Sequence, residues 1–95
     1  MNFSTSDPLA GQEIVFPVTY IIKVVVTHNM EQTYHRSLIE EVFQRMKVPF
    51  ELVAVNASKQ NTYLSFNFRI TLLDIEQMRQ LYGELQKIPW FKFAV

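Results

Sequence analysis

The chain has 95 residues, enough for one small domain, and 48% of them are hydrophobic, including eight Phe, four Tyr and one Trp; that content excludes disorder for the bulk of the sequence. Nine basic and nine acidic residues cancel to a formal charge of zero, so no global field draws the molecule to nucleic acid or to a membrane surface. The absence of cysteine excludes a disulfide framework, a thiolate zinc site and a cysteine nucleophile together.

Residues 1–14 hold Ser4, Ser6, Asp7, Pro8 and Gly11 with little periodicity and read as a flexible N-terminal tail. No basic stretch precedes an apolar run there, so a secretory signal is not expected. From Val15 to Thr27 the chain turns strongly β-branched, and Pro17 belongs at the entry of this first strand because proline cannot donate to a ladder. Tyr20, Ile22, Val24 and Val26 share one side; Thr19, Ile21, Lys23, Val25 and Thr27 share the other. Lys23 interrupts the most apolar run, YIIKVVV, which falls far short of the ~20 residues needed to span a bilayer. A soluble, cytoplasmic protein is the expectation.

The period then changes. Tyr34, Leu38, Val42 and Met46 recur every fourth residue, with Ile39 and Phe43 beside them, and predict a helix with Asn29 as N-cap and a Glu41–Arg45 pair on its wet side. Pro49 ends it. FELVAVNA (50–57) reads as a second strand whose inward side is ambiguous, and the polar SKQNT (58–62) as a hairpin loop. The third strand alternates most cleanly, with Leu64, Phe66, Phe68, Ile70 and Leu72 against Tyr63, Ser65, Asn67, Arg69 and Thr71. Asp74 and Gln77 have the spacing of a capping box for a second helix that directs Ile75, Met78, Leu81, Tyr82 and Leu85 to the core. Gly83 within it suggests close backbone packing. Pro89 ends that helix, and WFKFAV (90–95) closes the chain as a strand with Phe91, Phe93 and Val95 inward.

Strand, helix, strand, strand, helix, strand is the order of an α+β, ferredoxin-like βαββαβ sandwich over residues 15–95. It has a four-stranded antiparallel sheet in the order 4-1-3-2, with both helices on one face and the other face bare. The helices need an apolar sheet face beneath them, so Phe66 and Phe68 point inward. An RNA-recognition motif would need third-strand aromatics on the open side after a glycine-containing basic signature; that side offers only Tyr63.

The same parity places Lys23, Arg69 and Lys92 on the open face with Trp90 and Tyr63 as aromatic neighbours. These five are the candidate binding residues, a locally basic surface on a neutral molecule. Ile21, Val25, Val53 and Val55 make the face partly apolar, which suits a protein partner or a second copy equally well. Catalysis is not expected, because Gly11 and Gly83 are too few and too scattered for a phosphate loop or a nucleophile elbow. Nor is a metal: His28 falls outside the helix, leaving Glu31 and His35 as an exposed two-ligand pair. No cofactor is implied.

FPVTYIIKV at the first strand, SKQNTYLS at the hairpin and IEQMRQLYGEL on the second helix resemble the YbeD-like family of small bacterial proteins, a conserved domain of unknown function, over roughly residues 15–95. The resemblance implies the ferredoxin-like fold and a likeness to ACT-type regulatory domains, which often dimerise and bind small effectors. This chain departs from the family in having Gln60, Asn61 and Thr62 where the hairpin usually carries glycine. The THNMEQT loop after the first strand lacks the glycine with which ACT domains commonly hold an amino acid. The expectation is a non-enzymatic regulatory or protein-interaction module acting through its open sheet face or edge strands, with a protein partner or self-association ahead of nucleic acid, no membrane, and room for a small effector. The alternative is an anion or nucleic-acid binder using the basic open face.

Overall fold

The two longest apolar alternations in the chain pair with each other. β1 (Val18–Thr27) and β3 (Tyr63–Leu72) lie antiparallel without a break, Val18 opposite Leu72 and Thr27 opposite Tyr63. Because side chains alternate across a strand, one register places Ile22, Val24, Val26, Leu64, Phe66, Phe68, Ile70 and Leu72 on a common face, each no more than 2% exposed. The computed structural model describes residues 14–95 and completes the sheet with β2 (Phe50–Ala57) and β4 (Phe91–Ala94), in the order β2-β3-β1-β4. That is the predicted 4-1-3-2 order read from the other edge. Two helices, α1 (Gln32–Arg45) and α2 (Ile75–Gln86), cover the apolar face. Neither is long and apolar enough to cross a membrane. Residues 1–13 of the expected tail lie outside the described residues, whereas Ile14 packs half-buried against the core.

The core is aromatic at one end. Phe43 of α1 meets Phe68 edge-on at 5.0 Å and Phe50 at 5.3 Å, contacts that each add about 0.5–1.5 kcal/mol beyond area burial. Between the helices Arg45 reaches Glu84 at 2.8 Å, and Glu84 also takes Lys87 at 2.6 Å. The hydrogen bonds from Lys87 and then Arg45 hold the Glu84 carboxyl below its ordinary range. Asp74 caps α2 as expected, its side chain accepting from Gln77 N–H at 2.8 Å, while the Gln77 side-chain Oε1 accepts from Leu73 N–H at 2.7 Å. The hairpin dispenses with glycine because Asn61, a residue that tolerates the left-handed region, adopts φ 60°, and Ser58 Oγ accepts from Thr62 and Tyr63 N–H at 3.0 Å.

Several sequence expectations are corrected. The α1 stripe does not begin at Tyr34, which is 54% exposed; His35 is fully buried in its place. A strict four-residue spacing drifts about 40° per step on a 3.6-residue helix, so a row anchored at Met46 has left the buried face by Tyr34. His35 is therefore no surface residue. Helix α1 is capped at Glu31, not Asn29, and makes no side-chain cap bond. On β4, Phe91 faces the core, but Phe93 and Val95 do not. The β1–β4 register shifts between Val25 and Val26, pairing Val25 with Phe93 and Val26 with Phe91. Lys92 is the extra residue, parity inverts beyond it, and Ala94 turns inward.

Gly83 is corrected as well. It is exposed, and a Cβ added there would meet nothing within 4 Å. No close approach requires glycine, so its helix penalty stands uncompensated. Gly83→Ala is expected to stabilise the fold by about 0.5–1 kcal/mol, read as a higher urea midpoint at unchanged slope; a lower midpoint would show a hidden steric role.

Candidate functional site on the open sheet face

The face that the helices leave bare is built from the second parity of all four strands. β3 contributes Tyr63, Ser65, Asn67, Arg69 and Thr71; opposite them on β1 stand Thr27, Val25, Lys23, Ile21 and Thr19. Its polar groups are partly consumed by one another. The Thr19 and Thr71 hydroxyls are 2.8 Å apart, and Arg69 pairs with Glu51 of β2 at 2.5 Å. Both members of that ion pair are about half exposed or more, so it contributes little stability, about 0–1 kcal/mol, but it cancels the charge that the sequence assigned to a basic patch.

The five expected binding residues are not brought together. Lys23 sits mid-face, opposite Asn67. Six residue steps along β3, about 20 Å, separate Arg69 towards one end from Tyr63 at the other. Lys92 is near Tyr63, its Nζ 5.9 Å from the ring centroid. Trp90 is not on the face at all: it is 7% exposed and packs edge-on against His35, with ring centroids 4.2 Å apart. The reason is that Trp90 lies in the turn before β4, not on the strand, so strand alternation does not set its side. Lys23 and Lys92 have no acidic partner among the described residues.

What the sequence reading missed on this face is apolar. Phe93 and Val95 are 44% and 45% exposed there, alongside Ile21 and Tyr63. Val53, 45% exposed, sits at a second register shift, between Leu52 and Ala54, which also explains why β2 had no consistent inward side. Parity counting cannot see a bulge, because one unpaired residue reverses every side chain beyond it. A shallow depression of about 380 Å³ opens on the face, lined by Lys23, Val25, Asn56, Tyr63, Ser65 and Phe93 among others.

His35 is the other unforeseen feature, although its position one turn before Ile39 was a usable signal. Neither ring nitrogen has a hydrogen-bond partner, an arrangement that costs about 1–3 kcal/mol for a buried donor. Burial, and then the charge of His28, whose ring centroid lies 6.4 Å away, lowers its pKa from the usual imidazole value. The folded state thus takes up a proton at lower pH than the unfolded chain does. Stability is fully present above the unfolded value of about 6.5 and falls as pH drops toward the folded value. A slope of at most about 1.4 kcal/mol per pH unit is expected from this group, and His35→Leu should flatten it in urea titrations between pH 7.5 and 5; an unchanged slope would exclude His35 as its source.

Sequence and structure comparisons agree with this geometry. The family model described as protein of unknown function DUF493 matches residues 12–95. No curated protein matches the chain in sequence. Among solved structures, protein HP0495 from H. pylori is similar at 18% identity, with a TM-score of 0.69 over 100% of this chain and 98% of that one. The ACT domain from GTP pyrophosphokinase of Chlorobium tepidum is similar at 14% identity, with a TM-score of 0.60 over 81% and 94%. At these identities the likeness is one of fold, ferredoxin-like and ACT-like. With the family model covering all the described elements, the chain belongs to the DUF493 family, the one to which its YbeD-like segments pointed.

Proposed function

We propose that this protein is a non-enzymatic regulatory module that works by holding a protein partner against its open sheet face. One observation carries the reading: Ile21, Val53, Tyr63, Phe93 and Val95, all large and all between 39% and 46% exposed, lie on the face that neither α1 nor α2 covers. Solvated faces of antiparallel sheets are normally polar, so five large apolar side chains exposed on one such face favour an interaction surface. The polar side chains around them form mutual pairs instead of an acid, base and nucleophile set, which favours binding over chemistry. The depression beside Phe93 leaves room for a small effector on the same face.

Affinity capture from the native cell extract, run in parallel with the wild-type chain and with Phe93→Ser and Val53→Ser, tests the reading. Both side chains are exposed, so the fold should tolerate the changes. A specific partner retained by the wild type should weaken at least about tenfold with each variant. If the captured set is indifferent to both, the open face is not the working surface.

A second reading rests on Lys23 and Lys92, the two ammonium groups of the face without acidic partners among the described residues: binding of an anion or a nucleic-acid backbone. Two phosphate contacts predict a log–log salt slope of about −1.4 for a single strand. Lys23→Gln with Lys92→Gln should remove it, and single-stranded RNA binding with an unaltered slope in the double variant would end this alternative.

A further inference from the structure

Among the described residues, the sheet is unfinished on its β4 side. β1 has ten residues, yet β4 pairs with it only from Val24 to Val26. Backbone bonds between Lys23 and Val95 at 2.8 and 3.0 Å, and from Thr27 N–H to the Trp90 carbonyl at 2.9 Å, complete that contact. In a strand, the N–H and C=O of one residue point to the same side, and the side alternates along the chain. Lys23 bonds toward β4, so Ile21 and Thr19 aim the same way, past the end of β4, while Val18, Tyr20 and Ile22 bond toward β3. No described group meets the N–H or C=O of Thr19 or Ile21 on that side. Thr19 is exposed and Ile21 is 46% exposed.

Native sheets blunt such edges with charge, proline or bulges. The opposite edge follows the rule: β2 carries Glu51 and the irregularity at Val53. The bare stretch of β1, VTYII, has no charge, no proline and no glycine, and four of its five residues are β-branched. Pro17 and Lys23 only flank it. Its backbone is held extended by β3, so a strand added here would meet a template already in place.

We propose that the edge of β1 from Val18 to Ile22 is a strand-addition site for a short extended segment of a partner protein, antiparallel to β1 and in line with β4. The inference rests on the interaction-module reading and names where and how the partner engages. Thr19 and Ile21 supply the main-chain bonds. Partner side chains opposite them fall on the open face and extend the row Phe93, Val95, so they are apolar; this is the alternating recognition of edge-strand peptides. A second copy fits less well. In a two-fold pairing centred on Tyr20, Lys23 of one chain would lie opposite Pro17 of the other, and its own Val95 already occupies that place.

The test uses the full chain and a capped peptide of alternating valine and threonine with a lysine at each end, followed by amide hydrogen exchange. Without peptide, the Thr19 and Ile21 amides exchange fast, while those of Tyr20 and Ile22 are protected by β3. Millimolar peptide should slow Thr19 and Ile21 about tenfold or more. N-methylating the peptide on one parity should abolish the effect, and on the other should not. Ile21→Pro, which removes an edge donor without breaking a β3 bond, should abolish it too; if that variant does not fold, the N-methyl arms still decide. No slowing, or slowing indifferent to N-methylation, overturns the proposal. So does protection that grows with protein concentration alone, which would assign the edge to a second copy. Protection present in the monomer and lost on deleting residues 1–13 would assign it to the chain's own segment and overturns it equally. If the peptide fails while Phe93→Ser still releases the captured partner, the edge proposal falls and the open-face reading stands.

Discussion

Ten residues of β1 face ten of β3 with no slip in register, and nearly everything else in the molecule is a consequence of that pairing. A shift of β3 by one residue against β1 would send Phe66 and Phe68 to water and bring Asn67 and Arg69 beneath the helices, because parity is all-or-none along a ladder. The observed register instead buries a continuous slab, from Ile22 to Val26 and from Leu64 to Leu72, on which α1 and α2 settle with Ile39, Phe43, Met78, Leu81 and Leu85. Burial of side chains of this size contributes roughly 1.5–3 kcal/mol each, which is what fixes the register against its alternatives.

The outer strands do not obey the same strictness, and the difference shapes the surface. Each carries one irregularity, at Val53 on β2 and at Lys92 on β4. Both are placed so that apolar side chains come out onto the bare face. The central pair therefore defines the core, whereas the flanking pair defines what the open side presents. β4 has a further effect because it is short: among the described residues it leaves half of β1 without a neighbour on that side, so the apolar face runs directly into an unpaired backbone edge. A surface and an edge that meet in this way suit a partner that brings both side chains and main chain.

At the end of the sandwich where β1 passes into α1, His35 and Trp90 close the core against each other, with Phe66 and His28 rings around them. An imidazole with two unpartnered nitrogens is an expensive filler. Its T-shaped contact with the Trp90 indole is the compensating interaction the geometry offers. Trp90 is thereby held out of the open face, and the chain enters β4 from a buried anchor instead of from a surface aromatic.

Much of this was legible in the residues themselves. Alternation marked β1 and β3, Asp74 and Gln77 announced the start of α2, and the order of elements left one topology compatible with two right-handed crossovers. Those signals are local, and the hydrophobic effect enforces them wherever one face must be dry. Three things were decided only in three dimensions: the side on which Phe93 and Trp90 lie, the neutralisation of Arg69 by Glu51, and the length of β1 that β4 leaves open. A bulge changes parity without changing composition, an ion pair across strands depends on which strands become neighbours, and an edge is bare only by comparison with the strand that fails to cover it. The chain's periodicity thus determined its core, and the register between strands distant in sequence decided the surface with which it meets other molecules.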